Sequence, residues 1–258
     1  MFDIEIALNQ WEVFLLILVR IASFVYTAPF FNIHGIPQRT KLGLAVFMSI
    51  LVFMLVPDKT LEYSGIVDYG ILILKESIVG LLLGFAANVC VQTIHFAGHI
   101  IEVNIGLSMA SMFDQTTQTQ TGVVGQLYYY GIMLLMIISG LYQFMIKAII
   151  DTYSIIPIGQ ATVNMLLYDS FLEVIAEYFL IGFRIAMPVF VAVMIMNVIL
   201  GILTRVAPQF NMFAIGIQIK LLAGLAIMFL TVGLLPTVAS FLMDMIENVI
   251  VNIAGGLL

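Results

Sequence analysis

The sequence predicts an all-α membrane protein built from long, kinked helical hairpins. Three observations predict it. Hydrophobic residues make up 62% of the 258 residues and charged residues 9%, against about a quarter charged in soluble domains. A soluble fold could not hide that much apolar surface, and it would lack the charged exterior that keeps a monomer in solution. The apolar residues fall in continuous runs such as Ile132 to Ile138. Strands of a membrane barrel would alternate every second residue instead. In lipid the backbone must satisfy its own hydrogen bonds, so helices remain.

The same composition excludes other classes. Nine Lys and Arg against fifteen Asp and Glu give a net charge of −6, with no run of cations, so no nucleic-acid partner is expected. A single cysteine, Cys90, excludes an intrachain disulfide and a cysteine-only metal site. It reads as a small buried hydrophobe. No Gly-rich phosphate loop, Ser-His-Asp set or HExxH motif occurs, so neither a catalytic residue nor a cofactor is expected.

Six apolar stretches are expected to be helices. The first, Val13 to Phe31, follows Asp3 and Glu5. A cleavable signal peptide would begin with cations, so this stretch is expected to be retained. It is closed by Gly35 and Pro37, which interrupt a helix. The second, Leu42 to Val56, stops at Pro57. Its 15 residues span about 22 Å as a helix, short for a hydrocarbon core of about 30 Å. The third, Ile66 to Phe96, contains Lys75 and Glu76. The fourth runs from Val123 to Ile150, opening on Tyr128, Tyr129 and Tyr130 at an interface-like boundary. The fifth, Phe171 to Leu203, contains Arg184 and Pro188. The sixth, Phe210 to Leu235, contains Lys220 and precedes Pro236. A shorter amphipathic tail, Val238 to Ile253, carries Asp244 and Glu247. No water-facing domain is expected. Cations in the loops favour a cytoplasmic first loop by three (Arg39, Lys41, Arg205) to two (Lys59, Lys147).

The segment from Gly98 to Gly122 differs from its surroundings. From Gln115 to Thr121 every side chain is an uncharged hydrogen-bonding group, a poor helix former bounded by glycines at 106 and 122. Met109, Met112 and Phe113 precede it as a deformable apolar collar. His95, His99 and Glu102 share one helix face, a spacing open to a metal. The fuller ligand motifs are absent, so a polar face is preferred and no metal is expected. Charges inside apolar stretches must face protein or water. Lys75 and Glu76 are adjacent, point in different directions and each seek a partner elsewhere. They and Arg184 and Lys220 either line a conduit or pair across buried helix interfaces. The second is preferred.

The stretch Gly182 to Pro188, then Leu200 to Phe213, then Ile215-Gly216 and Lys220 to Leu225, closely resembles the FliR family of flagellar export-gate proteins, whose virulence type III counterpart is the SctT family. The most specific element is Arg205, Ala207, Pro208, Gln209, Asn211 and Phe213. Arg20 with Pro29, Pro37 and Arg39 is similar to the family's N-terminal pattern. Gln115 and Gln218 stand where the family often has proline. The resemblance covers essentially the whole chain.

The resemblance implies a single export-gate domain, residues 1–258, with a FliP-like part (about 1–170) followed by a FliQ-like helical hairpin (about 171–258). It implies a channel plug beginning Gly106, Leu107, Ser108, Met109, Ala110, Ser111, Met112, Phe113, Asp114 and Gln115, within a central loop at 106–122. Arg184, Pro188, Arg205, Pro208, Gln209, Asn211 and Lys220 are its motif and subunit-interface residues. Implied partners are FliP-like and FliQ-like subunits, an FlhB-like subunit, unfolded exported flagellar proteins and membrane lipid. The implied location is the bacterial inner membrane, within the flagellar basal body. The implied role is structural, not enzymatic. Alternatives are a virulence secretion gate and, from the proline-interrupted helices with internal charges, a secondary transporter or ion channel.

Overall fold

The computed structural model describes residues 2–32, 35–56, 61, 63–108, 122–162, 164–209 and 212–257. Helix accounts for 87% of it and no strand occurs among the described residues, as the apolar runs predict. In chain order the helices are α1 (Phe2–Thr27), α2 (Gln38–Leu55), α3 (Ile66–Ile105), α4 (Val123–Ile138), α5 (Leu141–Ile155), α6 (Met165–Val206), α7 (Met212–Thr231) and α8 (Leu235–Gly256). A 3₁₀ turn, Val232–Leu234, joins the last two.

Helix α1 starts at Phe2, well before Val13, and ends at Thr27, and α6 extends past both ends of its apolar stretch; four further differences have a local reason. Helix α2 begins four residues earlier, at Gln38, directly after Pro37 with φ −59° and ψ 142°. Its 18 residues reach about 27 Å, close to the hydrocarbon thickness. Arg39 and Lys41 merely give its first turn a polar collar. Helix α3 continues past Phe96, through His99 and Glu102, to Ile105, and ends at Gly106, the expected bound of the polar run. The fourth stretch is two helices, because Gly140 adopts φ 91°, a left-handed conformation that interrupts the α-ladder. The sixth stretch and the tail are joined through the 3₁₀ turn. There Pro236 lies in the first turn of α8, where its missing N–H removes no helical bond.

The chain forms two compact units, each built from discontinuous segments. The first comprises Met1–Cys90, Gly140–Ile175 and Met243–Leu258. Its α1 buries Val13, Leu16, Ile17, Arg20, Ile21, Phe24 and Val25, a stripe at helical spacing that Ala28 continues just past the helix end. Helix α3 meets this stripe at Gly80 and Gly84, where an added Cβ would overlap Arg20, Ser23, Thr27 and Ala28. Small residues four apart permit this close approach between apolar helices. The end of α8 is tied to the segment before α6: Thr162 N–H donates to the Leu257 carbonyl at 3.0 Å and Asn164 N–H to the Gly256 carbonyl at 3.1 Å.

The second unit comprises Val91–Ser139 and Ala176–Leu242. Phe96 of α3 stacks on Tyr178 of α6, with centroids 5.1 Å apart. Gly224 of α7 accepts Ile105 of α3 where a Cβ would overlap it.

Large apolar side chains also cover the exterior, among them Met54, Leu74, Met165, Phe229 and Leu230. Among the described residues five helical segments are long and apolar enough to cross a bilayer, and six if α4 and α5 together make one span. The chain is therefore a multi-pass membrane protein.

Candidate functional site at the neck of the central loop

Two polar constructions stand out against the apolar background. The first is the neck of the segment between α3 and α4, within the second unit. Helix α3 ends at Gly106, whose φ of 85° suits glycine. The N–H groups of Gly106 and Leu107 both donate to the Glu102 carbonyl at 3.1 Å, so one carbonyl closes the helix end. Across the neck, α4 begins after Gly122, an N-cap residue with no side chain to offer. The missing acceptor comes from α3: the buried Glu102 carboxylate accepts a hydrogen bond from Val124 N–H. A carboxylate here meets both an orphan donor and the positive end of the helix dipole. A Cβ at residue 122 would overlap this carboxylate, so glycine is required here by space, while its φ of −60° and ψ of 140° suit any residue.

One turn earlier the two helices touch through backbone. A Cβ on Gly98 would overlap Gly125. His95 stacks on Tyr129 at 4.5 Å between centroids. Glu102 and His95 are thus occupied, and His99 is exposed. Among the described residues no three His, Cys, Asp or Glu side chains gather as a metal ligand set.

Of the expected plug residues, Gly106 and Leu107 lie in the turn that leaves α3, and Ser108 after them is helical. Met109, Ala110, Ser111, Met112, Phe113, Asp114 and Gln115 lie outside the described residues.

The second construction is a buried ion pair in the first unit. Arg20 and Glu76 are both 0% exposed. Arg20 Nε and Glu76 Oε2 are hydrogen-bonded, and Nη2 donates to Oε1 at 3.0 Å. Remaining valences are met by backbone: Arg20 Nη1 donates to the Ile156 carbonyl at 3.0 Å, and Gly159 N–H donates to Glu76 Oε1 at 2.7 Å. The guanidinium also lies 4.2 Å from the centroid of Tyr153. The pair therefore fixes the α1–α3 contact to the turn after α5. Lys75, its neighbour, is half-buried with its ammonium 3.5 Å from the Gly159 carbonyl.

The family-motif residues are more open. Arg184 and Pro188 of α6 are exposed, with the guanidinium 6.0 Å from the centroid of Phe241. Arg205, Pro208 and Gln209 are exposed at and beyond the end of α6, where a cation opposes the negative helix end. Asn211 lies outside the described residues. Lys220 of α7 is half-buried and borders a cavity of about 470 Å³ with Asn104, Asn197, Thr204 and Gly106.

A family pattern marks Arg20 in the sequence, and nothing there points to Tyr153, Gly159 or the Gly98–Gly125 contact. Arg20 had a further readable signal, since it falls on the inward stripe of an otherwise apolar helix. The backbone partners had none.

Fold and neck together define a helical, multi-pass membrane protein whose long helices are held by buried polar ties and which shows no catalytic constellation among the described residues. Residues 11–246 match the family described as bacterial export proteins, family 1. The chain belongs to this family, that of the FliR proteins. It is 29% identical to the flagellar biosynthetic protein FliR of Bacillus subtilis over 218 residues, 83% of each chain. It is 29% identical to that of Pectobacterium carotovorum over 255 residues, covering 95% of this chain and 96% of the relative. The Escherichia coli protein of the same name is 26% identical over 242 residues, 92% of this chain and 91% of the relative.

Proposed function

We propose that this chain is a subunit of the flagellar protein export gate, assembling with FliP-like and FliQ-like subunits into the channel that carries unfolded flagellar proteins across the inner membrane. The observation that carries the reading is the family match over residues 11–246. The relatives' shared name favours the flagellar system over the virulence one. On this reading the chain divides into a FliP-like part to about residue 170 and a FliQ-like hairpin beyond it. An FlhB-like subunit joins the assembly. The role is structural, and no catalysis by this chain is invoked.

The loop at 106–122 acts as the plug. Its support is chemical. A polar but uncharged sequence has no electrostatic grip on an arbitrary passing chain, and its Met and Phe residues close a lumen to ions. The root of the loop is held by Glu102 against the start of α4, which fixes where the chain re-enters the helix.

Co-purification of the tagged chain with FliP-like and FliQ-like subunits tests membership of the gate. Substrate-dependent flux through the isolated chain would instead indicate a transporter. Deleting Ala110 to Gln115 is expected to make cells leak small molecules while export continues. Unchanged permeability of the purified complex after that deletion would overturn the plug assignment.

A further inference from the structure

We infer that Arg184 is the docking point for a partner helix that carries a single carboxylate within an otherwise apolar face. The inference rests on the chain being one subunit of a membrane complex, and it goes further by naming the contact and its chemistry.

A notch of about 280 Å³ opens in the second unit between α6, the 3₁₀ turn and the start of α8. Its walls are mainly apolar, through residues such as Ile181, Leu234 and Phe241, with the hydroxyls of Tyr128, Thr231 and Thr237 among them, and Arg184 is the one charge in its lining. Among the described residues Arg184 enters no ion pair, and its only recorded partner is the distant face of Phe241. The helix surface around it is apolar and open: Leu180, Phe183, Met187 and Val191 are each at least 50% exposed. Pro188 interrupts the helical ladder beside it. It has no N–H, so it cannot supply the helical bond that the Arg184 carbonyl would otherwise accept. One turn of α6 thus brings a cationic fork and a break in the helical hydrogen-bond ladder to the same notch.

A guanidinium in an apolar setting requires a counter-charge. Its planar fork matches a carboxylate through two parallel hydrogen bonds. Depth selects a protein carboxylate over a lipid phosphate. Arg184 lies three residues from Met187, the centre of the Phe171–Leu203 apolar stretch, or about 4.5 Å along the helix. With that stretch centred in a hydrocarbon core about 30 Å thick, headgroups begin about 15 Å from the midplane. The occupant is therefore a helix of another subunit, with one Asp or Glu at mid-span among small or apolar residues.

The experiment uses the full-length tagged chain co-expressed with the other gate subunits. Arg184→Leu, Arg184→Lys and Arg184→Glu are compared with wild type for membrane insertion and for recovery of the assembled complex. Arg184→Leu is expected to insert normally yet lower complex recovery at least tenfold, and Arg184→Lys to retain more than Arg184→Leu. Motility suppressors of Arg184→Glu are expected at one carboxylate of a partner helix, as Asp or Glu changed to Arg or Lys. Normal recovery with Arg184→Leu overturns the inference. So do suppressors confined to this chain, and so does rescue of Arg184→Leu assembly by added anionic phospholipid. Failure of the wild-type chain to co-purify with any gate subunit would refute gate membership itself, a distinguishable result.

Discussion

Removing the carboxylate of Glu76 leaves Arg20 as a buried, uncompensated cation. Glu76 accepts two bonds from Arg20 and one from Gly159 N–H, and both side chains are 0% exposed. Breaking one half of such a pair costs about 3–5 kcal/mol, because the remaining charge keeps its desolvation penalty and loses its partner. Replacing both halves by apolar residues of similar volume removes that charge. What remains is the unmet Ile156 carbonyl and Gly159 N–H, each costing about 1–3 kcal/mol if water cannot reach it. Glu76→Met and Arg20→Met are therefore each expected to destabilise by about 3–5 kcal/mol. The double substitution is expected to cost no more than either single one, giving a coupling energy of at least about 3 kcal/mol in a double-mutant cycle. The chain supplies its own probe. Cys90 is its sole cysteine, is 0% exposed and belongs to the same unit. A thiol-reactive fluorophore labels it only when that core opens, so labelling against temperature in detergent reads the stability of this unit. For a chain of this size about 1 kcal/mol moves the midpoint by about 2–4 °C, so each single variant should label at least about 6 °C below wild type. A Glu76→Met midpoint within about 2 °C of wild type would refute the reasoning, as would a double variant as unstable as the sum of the singles.

The neck gives two further predictions. Glu102→Ala removes the only side-chain acceptor seen at the start of α4 and is expected to cost about 1–2 kcal/mol, as for a lost N-cap. Glu102→Gln keeps an acceptor and loses mainly the charge–dipole part, about 0.3–1 kcal/mol. Hydrogen exchange at the first turn of α4 checks the order, and equal protection in all three proteins would contradict the capping role. Gly98→Val forces apart α3 and α4 where a Cβ already overlaps the Gly125 backbone. It is expected to cost about 1–3 kcal/mol or more and to lower the yield of folded chain in detergent on size-exclusion chromatography. A wild-type yield would show that the helices do not meet at this glycine pair.

How much of this was legible in the sequence follows from which forces leave a local trace. Continuous apolar runs leave one, and they fix the helical class and the approximate position of most helices. Charge obscures helix ends: Arg39 and Lys41 hid the first turn of α2, and His99 and Glu102 hid the last turns of α3, because hydropathy falls before helicity does. The break at Gly140 was also hidden, since a glycine between apolar neighbours is compatible with an unbroken transmembrane helix. At the sites, a buried carboxylate such as Glu76 announces that it needs a partner, but its partner is 56 residues away in sequence. Its choice depends on glycines 80 and 84 letting α1 come close. Glu102 read as one member of a polar stripe, and only the placement of α4 reveals it as a cap for another helix.

Charge placement also separates the two possible surroundings of the apolar exterior, which hydropathy alone does not. A lipid-facing surface tolerates any number of exposed Leu, Phe and Met residues but not a mid-span cation. Arg20 satisfies that constraint inside the chain, by pairing with Glu76. Arg184 does not, and Lys220 meets it only through a cavity whose other polar groups are Asn104, Asn197 and Thr204. Helix α6 passes every test of length and composition for a membrane span, yet its Arg184 face cannot rest against acyl chains without a counter-ion. The face of α7 that bears Lys220 likewise requires water or polar protein beside it. The 62% apolar composition is therefore shared between two solvents. Faces bearing only Phe229, Leu230 and their like suit lipid, while the faces of α6 and α7 that bear Arg184 and Lys220 demand a polar neighbour at membrane depth.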